Sequence, residues 1–268
     1  ALQDSLPLPA PITPYKALRD SLPLPAPTRP YKALQDSLPF PAPIRPYKAL
    51  QDSLPLPAPI RPYKALQDGL PLSPRTWTIA KAAKAQGYAT LHVGKWHLGW
   101  DWHKDGEKID FTKPVKNGPD INGFDSYYGH CGSLDMPPYV WVDTGKCTAV
   151  PDREEGVTKK QDPYGWYRKG PISPDFKIDD VLPHLFAKSV AYINEKAPAA
   201  KEGKPFFLYL PLPAPHTPIV PVPPFKDASG INSYADFVMQ CDHHMGQLFN
   251  ALKENSIDEN TLVVFTTD

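Results

Sequence analysis

The sequence has few cysteines and no long apolar run, and its formal net charge is zero. The three cysteines, Cys131, Cys147 and Cys241, form no Cys-x-x-Cys pair and allow at most one disulfide. No stretch of 18 apolar residues occurs, so we expect no membrane-spanning helix in this sequence. With 29 basic and 29 acidic residues, the charge balance favours neither nucleic acid nor an anionic membrane as a partner.

Two signals of the secretory pathway are also missing. No charged segment followed by an apolar one stands at the start, so we expect no signal peptide in this sequence. No Asn-x-Ser/Thr site occurs, which argues weakly against a glycosylated secretory protein. The sequence alone therefore leaves the compartment open.

Proline, by contrast, is abundant and unevenly placed. There are 36 prolines, and residues 1–64 are four copies of a 16-residue unit with four prolines in each copy. Proline removes backbone donors and disfavours helix before it, so this composition predicts a disordered tract of polyproline type. We predict two regions: proline-rich tandem repeats at residues 1–68 and a folded, partial domain at residues 69–268.

The repeats also allow a functional interpretation. The segment Pro57-Ala-Pro-Ile-Arg-Pro62 contains a PxxP pattern beside an arginine, which is typical of ligands for SH3-like domains. The alternative to simple disorder is therefore an SH3-type binder of the proline-rich repeats.

The remaining sequence indicates an α/β fold, because helix patterns alternate with short apolar strands. We predict three strands, over Tyr88–Val93, Phe206–Leu210 and Thr261–Thr267, and a first helix over Thr78–Gln86 that is closed by Gly87. A second helix has an apolar face made of Leu182, Leu185, Phe186, Val190 and Ile193. A third helix has an apolar face made of Tyr234, Phe237, Val238, Cys241, Met245, Leu248 and Leu252.

Polar residues follow each of the three predicted strands. Lys95 and His97 come after the first, His216 after the second, and Asp268 ends the third. If the strands are parallel neighbours, these side chains meet at one edge of the sheet. Lysine offers a positive charge, histidine a proton near neutral pH, and aspartate a ligand for a hard cation. The spacing by itself predicts an anion-handling site.

Here the residues carry a family resemblance. Gly87-Tyr-Ala-Thr90 followed by Gly94-Lys-Trp-His-Leu-Gly99 resembles the second signature of the sulfatase family. Lys204–Leu210 with Ala214-Pro-His-Thr-Pro218 is similar to the family's sulfate-contacting histidine segment. Thr261–Asp268 resembles its strand that ends in a metal-binding Asp-Asn pair. The segments Asp110–Tyr128 and Ser133–Tyr139 look like the bacterial-type arylsulfatase branch.

The resemblance implies a sulfuric ester hydrolase with an alkaline-phosphatase-like fold, a mixed sheet between helices, and a calcium ion. It implies that Lys95 binds sulfate oxygens, that His97 contacts a formylglycine hydroxyl, that His216 binds sulfate near the leaving oxygen, and that Asp268 is a calcium ligand. The implied substrate is a small-molecule or glycan sulfate ester. The implied location is periplasmic, secreted or lysosomal.

The sequence also departs from the family pattern. The nucleophile motif Cys/Ser-x-Pro-Ser-Arg does not occur, the paired aspartates that open the family domain are missing, and the Asn partner of Asp268 and the later lysine do not follow. We therefore expect a domain that is incomplete at both ends, has no nucleophile and, as given, has no sulfatase activity.

Several alternatives stay open. A phosphatase or phosphodiesterase of the same wider fold would need a Ser/Thr nucleophile and two metals, and a non-catalytic sulfatase-like protein with a proline-rich tract is another candidate. The run Asp242-His243-His244 could bind a metal, but a solvated helix face is the preferred interpretation. Trp96, Trp100 and Trp102 near His103 form either a ligand-binding wall or core packing. Lys113, Lys116 and His130 are candidates to line the substrate opening.

Overall fold

The computed structural model describes residues 72–73 and 75–266. The tract predicted at residues 1–68 lies outside the described residues, so its disorder and its SH3-type binding stay predictions. The helices and strands of the described part, in chain order, are α1 (Ile79–Ala85), β1 (Ala89–Lys95), β2 (Lys104–Asp105), β3 (Lys108–Ile109), β4 (Ser126–His130), β5 (Val142–Asp143), β6 (Lys146–Cys147), β7 (Arg153–Val157), β8 (Tyr167–Ile172), α2 (Val181–Lys201), β9 (Phe206–Tyr209) and α3 (Ser233–Glu254). Short 3-10 helices lie at Pro119–Asn122, Ile178–Asp180 and Asp258–Asn260.

The first helix forms where its capping residues predict it. The Thr78 side chain accepts a hydrogen bond of 3.1 Å from the Lys81 amide, which satisfies one of the free donors of the first turn. Gly87 follows the last turn with a φ of +81°, a conformation that glycine adopts without strain. The predicted helix over Thr78–Gln86 is therefore confirmed, with one residue at each end acting as a cap.

A mixed sheet with the strand order β6-β5-β4-β1-β9 forms the centre of the fold. Its β1 strand pairs in parallel with β4 on one side and with β9 on the other, while β5 and β6 extend the sheet in antiparallel fashion. The two apolar strands predicted at Tyr88–Val93 and Phe206–Leu210 are thus parallel neighbours, as expected. Their carboxyl ends lie at the same edge of the sheet.

Each face of the sheet carries its own apolar core. On one face, β1 and β4 contribute Leu91, Val93 and Tyr128, which pack with the buried side of α2. The same face of the fold contains a second cluster in which α2 packs against α3 and β9. The other face carries α1 and an aromatic cluster that includes Trp96 and Phe124. The prediction of a mixed sheet between helices is confirmed.

The predicted apolar face of α3 is partly wrong. Phe237 and Leu248 are buried as expected, but Tyr234 and Val238 are exposed. Polar residues take the inward positions instead, since Asp236, Gln240 and His244 are buried. The predicted face lies about a quarter-turn away from the buried face of α3, because the prediction counted only apolar side chains.

The buried polar side chains of α3 hold the loop before it. The carboxylate of Asp236 accepts hydrogen bonds of 2.9 and 2.8 Å from the amides of Asp227 and Ser229, and the Gln240 carbonyl accepts one of 3.0 Å from the Val222 amide. Buried backbone donors need such partners. The amide groups of this loop need acceptors, which explains why α3 directs polar side chains inward.

The strand predicted over Thr261–Thr267 is not found in its described part, residues 261–266. These residues pair with no strand of the described sheet, and Leu262 and Phe265 are 89% and 81% exposed. An apolar sequence becomes a strand only when it pairs with a neighbour, and residues 261–266 pair with none of the described strands. Among all the residues that the structure describes, no helix is long and apolar enough to cross a bilayer.

Candidate functional site

Lys95 is the last residue of β1, two residues beyond the predicted end of that strand. Its amide donates a hydrogen bond of 2.9 Å to the Pro211 carbonyl, which follows β9, and in the register with β4 it lies opposite His130. Its side chain is half-buried, and within the described residues its ammonium group takes part in no ion pair. Lys95 therefore presents a positive charge at the carboxyl end of the central strand.

His97 stands in the turn that follows β1. Its backbone has a φ of +50°, a left-handed conformation that costs free energy in a residue other than glycine. The turn is held by two hydrogen bonds, one of 2.9 Å from the His97 amide to the Cys131 carbonyl and one of 3.0 Å from the Trp96 amide to the His130 carbonyl. The backbone of this turn is therefore fixed against the end of β4.

The electrostatics of His97 link it to the other predicted residues. Burial lowers the pKa of His97 below its usual value, the charge of Lys95 lowers it further, the Asp135 carboxylate opposes this, and His216 adds a smaller lowering. Such effects require short separations. Lys95 ends β1, His97 follows it, and His216 lies in the loop after the parallel neighbour β9, so the three residues stand at the same edge of the sheet.

His216 lies in the loop after β9 and is exposed. Its amide donates to the Pro213 carbonyl at 3.2 Å, and its Nδ1 lies 2.7 Å from the Thr217 carbonyl. Because a carbonyl oxygen only accepts, Nδ1 must carry the proton, which leaves Nε2 as the acceptor of the neutral ring. The ring is therefore oriented by its neighbour and keeps one nitrogen free for a ligand.

Sequence reasoning missed the turn after β4. Ser133 and Asp135 are both buried there, and the Met136 amide closes the turn on the Ser133 carbonyl at 2.9 Å. Asp135 forms an ion pair of 2.8 Å with Arg168. The search of strand ends would have found these residues if Ser126–His130 had been identified as a third parallel strand.

Two buried histidines lie beside the site. Burial lowers the pKa of His92 to about 4 and that of His130 to about 3, so both rings are neutral at pH 7. His92 is surrounded by aromatic rings, with Trp96 and Phe124 at 5.3 and 5.6 Å between centroids. His130, a candidate to line the substrate opening, is instead a buried side chain next to Trp141.

The remaining predicted clusters are structural. Trp96 and Trp100 are buried in the aromatic core, so packing is the correct interpretation of the tryptophan group. In the run from Asp242 to His244 the solvated interpretation holds for the first two residues and is wrong for His244. That ring stacks on Phe186 with centroids 5.2 Å apart, because the inward side of α3 includes position 244.

The metal prediction falls largely outside the described residues. Asp268 is one of the residues that the structure does not describe, and among residues 72–73 and 75–266 no group of three or more His, Cys, Asp or Glu side chains could hold a metal ion. The described residues alone therefore do not make up a calcium site. Cys131, Cys147 and Cys241 are all free thiols.

Comparisons with known proteins show what this chain is similar to. A family model described as Sulfatase matches residues 60–268. An N-acetylgalactosamine-6-O-sulfatase from Bacteroides thetaiotaomicron is 26% identical over 71% of this chain and 42% of its own length. An arylsulfatase from Hemicentrotus pulcherrimus is 30% identical over 71% of this chain and 31% of its own length.

One solved structure matches as well. It is described under the metabolism of multiple glycosaminoglycans by Bacteroides thetaiotaomicron, and it is 25% identical with a TM-score of 0.57, over 71% of this chain and 44% of that chain. The chain thus spans less than half the length of the proteins that it matches in these comparisons.

Proposed function

Because the chain belongs to the sulfatase family, we propose that Lys95, His97 and His216 form the sulfate-binding part of a sulfuric ester hydrolase site. The observation that carries this proposal is the position of the three residues at the carboxyl ends of β1 and β9, which are paired in parallel. The end of β1 offers two cationic or proton-donating groups, and the loop after its parallel neighbour β9 offers a third. Such a set of groups suits the binding of an oxyanion that has several oxygens. The assignment of each role follows the family resemblance.

Lys95 supplies the permanent charge. Its ammonium group is a compact cation with three donors, and no acidic side chain of the described residues neutralises it. It therefore binds sulfate oxygens in this proposal.

The two histidines differ in what they offer. His97 has a lowered pKa, so at pH 7 it is neutral and able to donate one proton and accept another. His216 donates its Nδ1 proton to the Thr217 carbonyl, so its Nε2 binds a sulfate oxygen near the leaving group only in the protonated ring, where Nε2 is also a donor. By the family resemblance, His97 stands on the side of the formylglycine nucleophile, a group that this sequence lacks, and His216 on the leaving side.

The substrate class that we propose is a sulfate monoester, either an aryl sulfate or a sulfated sugar. One relative is named for N-acetylgalactosamine-6-O-sulfate hydrolysis and another as an arylsulfatase. His216 is exposed at the edge of the site, which leaves room for a large organic group on the leaving side. A calcium ion held by Asp268 and by groups that this sequence does not contain belongs to the same proposal.

Turnover is a separate matter from binding. The formylglycine motif Cys/Ser-x-Pro-Ser-Arg does not occur in these 268 residues. We therefore propose that the chain as given binds sulfate without hydrolysing its esters.

The experiment is a titration with inorganic sulfate, followed by the ring resonances of the histidines in NMR spectra. We expect saturable shifts of His97 and His216, and we expect Lys95→Ala to weaken binding by about tenfold or more. The matched control is Lys253→Ala, because Lys253 is an exposed lysine in the last turn of α3. Equal shifts in the wild-type chain and in Lys95→Ala would refute the assignment.

A parallel titration separates the alternative function. If inorganic phosphate binds at the same residues at least tenfold more tightly than sulfate at equal charge, the phosphatase interpretation gains over the sulfatase one. Incubation with a chromogenic aryl sulfate tests turnover, and metal-dependent release of product by the purified chain would contradict the expected inactivity.

A further inference from the structure

Asp135 is a buried carboxylate at the edge of the candidate site, with 6% of its surface exposed. A buried charge needs a partner, and Arg168 provides it from β8 through a hydrogen bond of 2.8 Å between Nη1 and Oδ2. Arg168 also binds the backbone of the same residue, since its Nη1 and its amide donate to the Asp135 carbonyl at 3.1 and 3.2 Å. One arginine therefore fixes both the carboxylate and the main chain of Asp135.

The backbone of Arg168 is held by the core, while its side chain is 54% exposed. The hydroxyl of Tyr139 donates a hydrogen bond of 2.6 Å to the Arg168 carbonyl, and Tyr139 is fully buried. The ring of Tyr139 also packs edge-on against Tyr167, the neighbour of Arg168 in β8. The guanidinium is thus presented by a strand whose backbone is anchored, which favours one orientation.

The turn that Asp135 belongs to forms the wall behind His97. A methyl group placed on Gly132 would lie 4.0 Å from the Cδ2 atom of the His97 ring and 3.6 Å from the Cβ atom of Met136. The His97 amide is bonded to Cys131, the residue before this glycine. The 132–136 turn therefore lies next to the His97 ring.

The charge of Asp135 also reaches His97. Lys95, Asp135 and His216 act on this ring, and His97 in turn acts on the buried His130; of these groups Asp135 is the one that favours the imidazolium form. A free carboxylate at this place would repel an anion bound at Lys95. Its pairing with a guanidinium removes most of that repulsion.

We propose that Arg168 is a positioning residue of the anion site, because it neutralises Asp135 beside His97 and fixes the 132–136 turn against the His97 ring. This inference rests on the proposed sulfate-binding function of Lys95, His97 and His216. It gives a residue of β8 a role in the site, in addition to the residues at the three predicted strand ends. Arg168 touches no substrate in this role and acts through Asp135.

The test compares Arg168→Ala, Arg168→Lys and the control Arg153→Ala. Arg153 is an arginine of the same hairpin that pairs with Asp152 and Glu155. Two quantities are measured in each protein: the pKa of His97 by NMR titration without added anion, and the dissociation constant for inorganic sulfate. We expect Arg168→Ala to raise the pKa of His97 and to weaken sulfate binding about tenfold, Arg168→Lys to give intermediate values, and Arg153→Ala to match the wild-type chain.

A second variant keeps the test decisive if Arg168→Ala fails to fold. The double variant Asp135→Asn/Arg168→Ala leaves no charge buried alone, so we expect it to fold with the pKa of His97 no higher than in the wild-type chain and with sulfate affinity within about threefold. A tenfold loss in this variant would show that charge neutralisation is not the role of Arg168. An unchanged pKa of His97 in folded Arg168→Ala would overturn the inference.

The two readouts separate this inference from the function on which it rests. If the wild-type chain binds no sulfate, the proposed function fails, while the pKa of His97 in the Arg168 variants still reports on positioning. If sulfate binds and the Arg168 variants leave both quantities unchanged, only the role of Arg168 is refuted.

Discussion

Gly94 and Gly129 lie opposite each other in the parallel pair of β1 and β4, and a β-carbon on Gly129 would collide with the Gly94 carbonyl. The same holds on the other side of β1, where a β-carbon on Gly94 would collide with the Pro211 carbonyl. Gly94 also has a φ of +134°, which only glycine adopts easily. The backbones of β1, β4 and the segment after β9 thus lie close together just before Lys95. This close packing determines the position of the sheet edge that carries the candidate site.

We predict that Gly129→Ala destabilises the folded domain by about 2 kcal/mol or more, because the atoms that would have to move belong to the backbone of β1. The measurement is the free energy of unfolding from urea denaturation. The control is Gly246→Ala in α3, where a β-carbon would meet nothing within 4 Å and the higher helix propensity of alanine favours folding. A Gly129→Ala domain as stable as the wild type would contradict the close approach of the two strands.

The buried histidines predict a loss of stability in mild acid. Burial lowers the pKa of His92 to about 4 and of His130 to about 3, whereas the unfolded value is 6.5. The unfolded chain therefore binds these protons more tightly, so the stabilisation is complete above pH 6.5 and is lost as the pH falls toward 4 and 3. Between pH 7 and pH 5 we expect a decrease of about 2 kcal/mol in the free energy of unfolding for each histidine.

Urea denaturation at several pH values checks this prediction. His92→Gln should remove about half of the decrease, and His103→Gln, at an exposed position, should leave it unchanged. A free energy of unfolding that stays constant from pH 7 to pH 5 would show that these rings are not buried in neutral form.

His97 predicts how the pH changes anion binding. A bound sulfate stabilises the imidazolium form, so sulfate should raise the pKa of His97, which burial and Lys95 otherwise hold below its usual value. By linkage, the affinity for sulfate should rise as the pH falls below 6.5. Sulfate titrations at pH 7.5 and 5.5 measure the effect, and His97→Gln should reduce it. The same pH dependence in His97→Gln as in the wild-type chain would exclude His97 from the anion site.

The local pattern was sufficient to predict much of the central fold. The cap at Thr78, the glycine at position 87 and the apolar runs on both sides predicted α1, β1 and β9, since each signal lies within one element. The rule that polar residues collect at strand ends then predicted Lys95, His97 and His216 together. These are the parts in which sequence neighbours determine the structure.

Contacts between distant residues were not predictable in this way. Asp135 and Arg168 are 33 residues apart, and no periodic pattern indicates that they pair. The strand β4 was also missed, because Ser126–His130 contains a glycine and polar residues where an apolar strand would alternate. Its role depends on the parallel neighbour that it finds in β1.

The segment 261–266 leads to a last prediction, because its apolar side chains are not buried in the described structure. Leu262 and Phe265 are mostly exposed, so their replacement by alanine should change the free energy of unfolding by no more than about 0.5 kcal/mol. The matched controls are Leu248→Ala and Phe237→Ala in the core of α3, where the same changes leave cavities and should cost about 2–5 kcal/mol. Urea denaturation of the four variants gives the comparison. A cost for Phe265→Ala as large as that for Phe237→Ala would show that the segment packs as a strand after all.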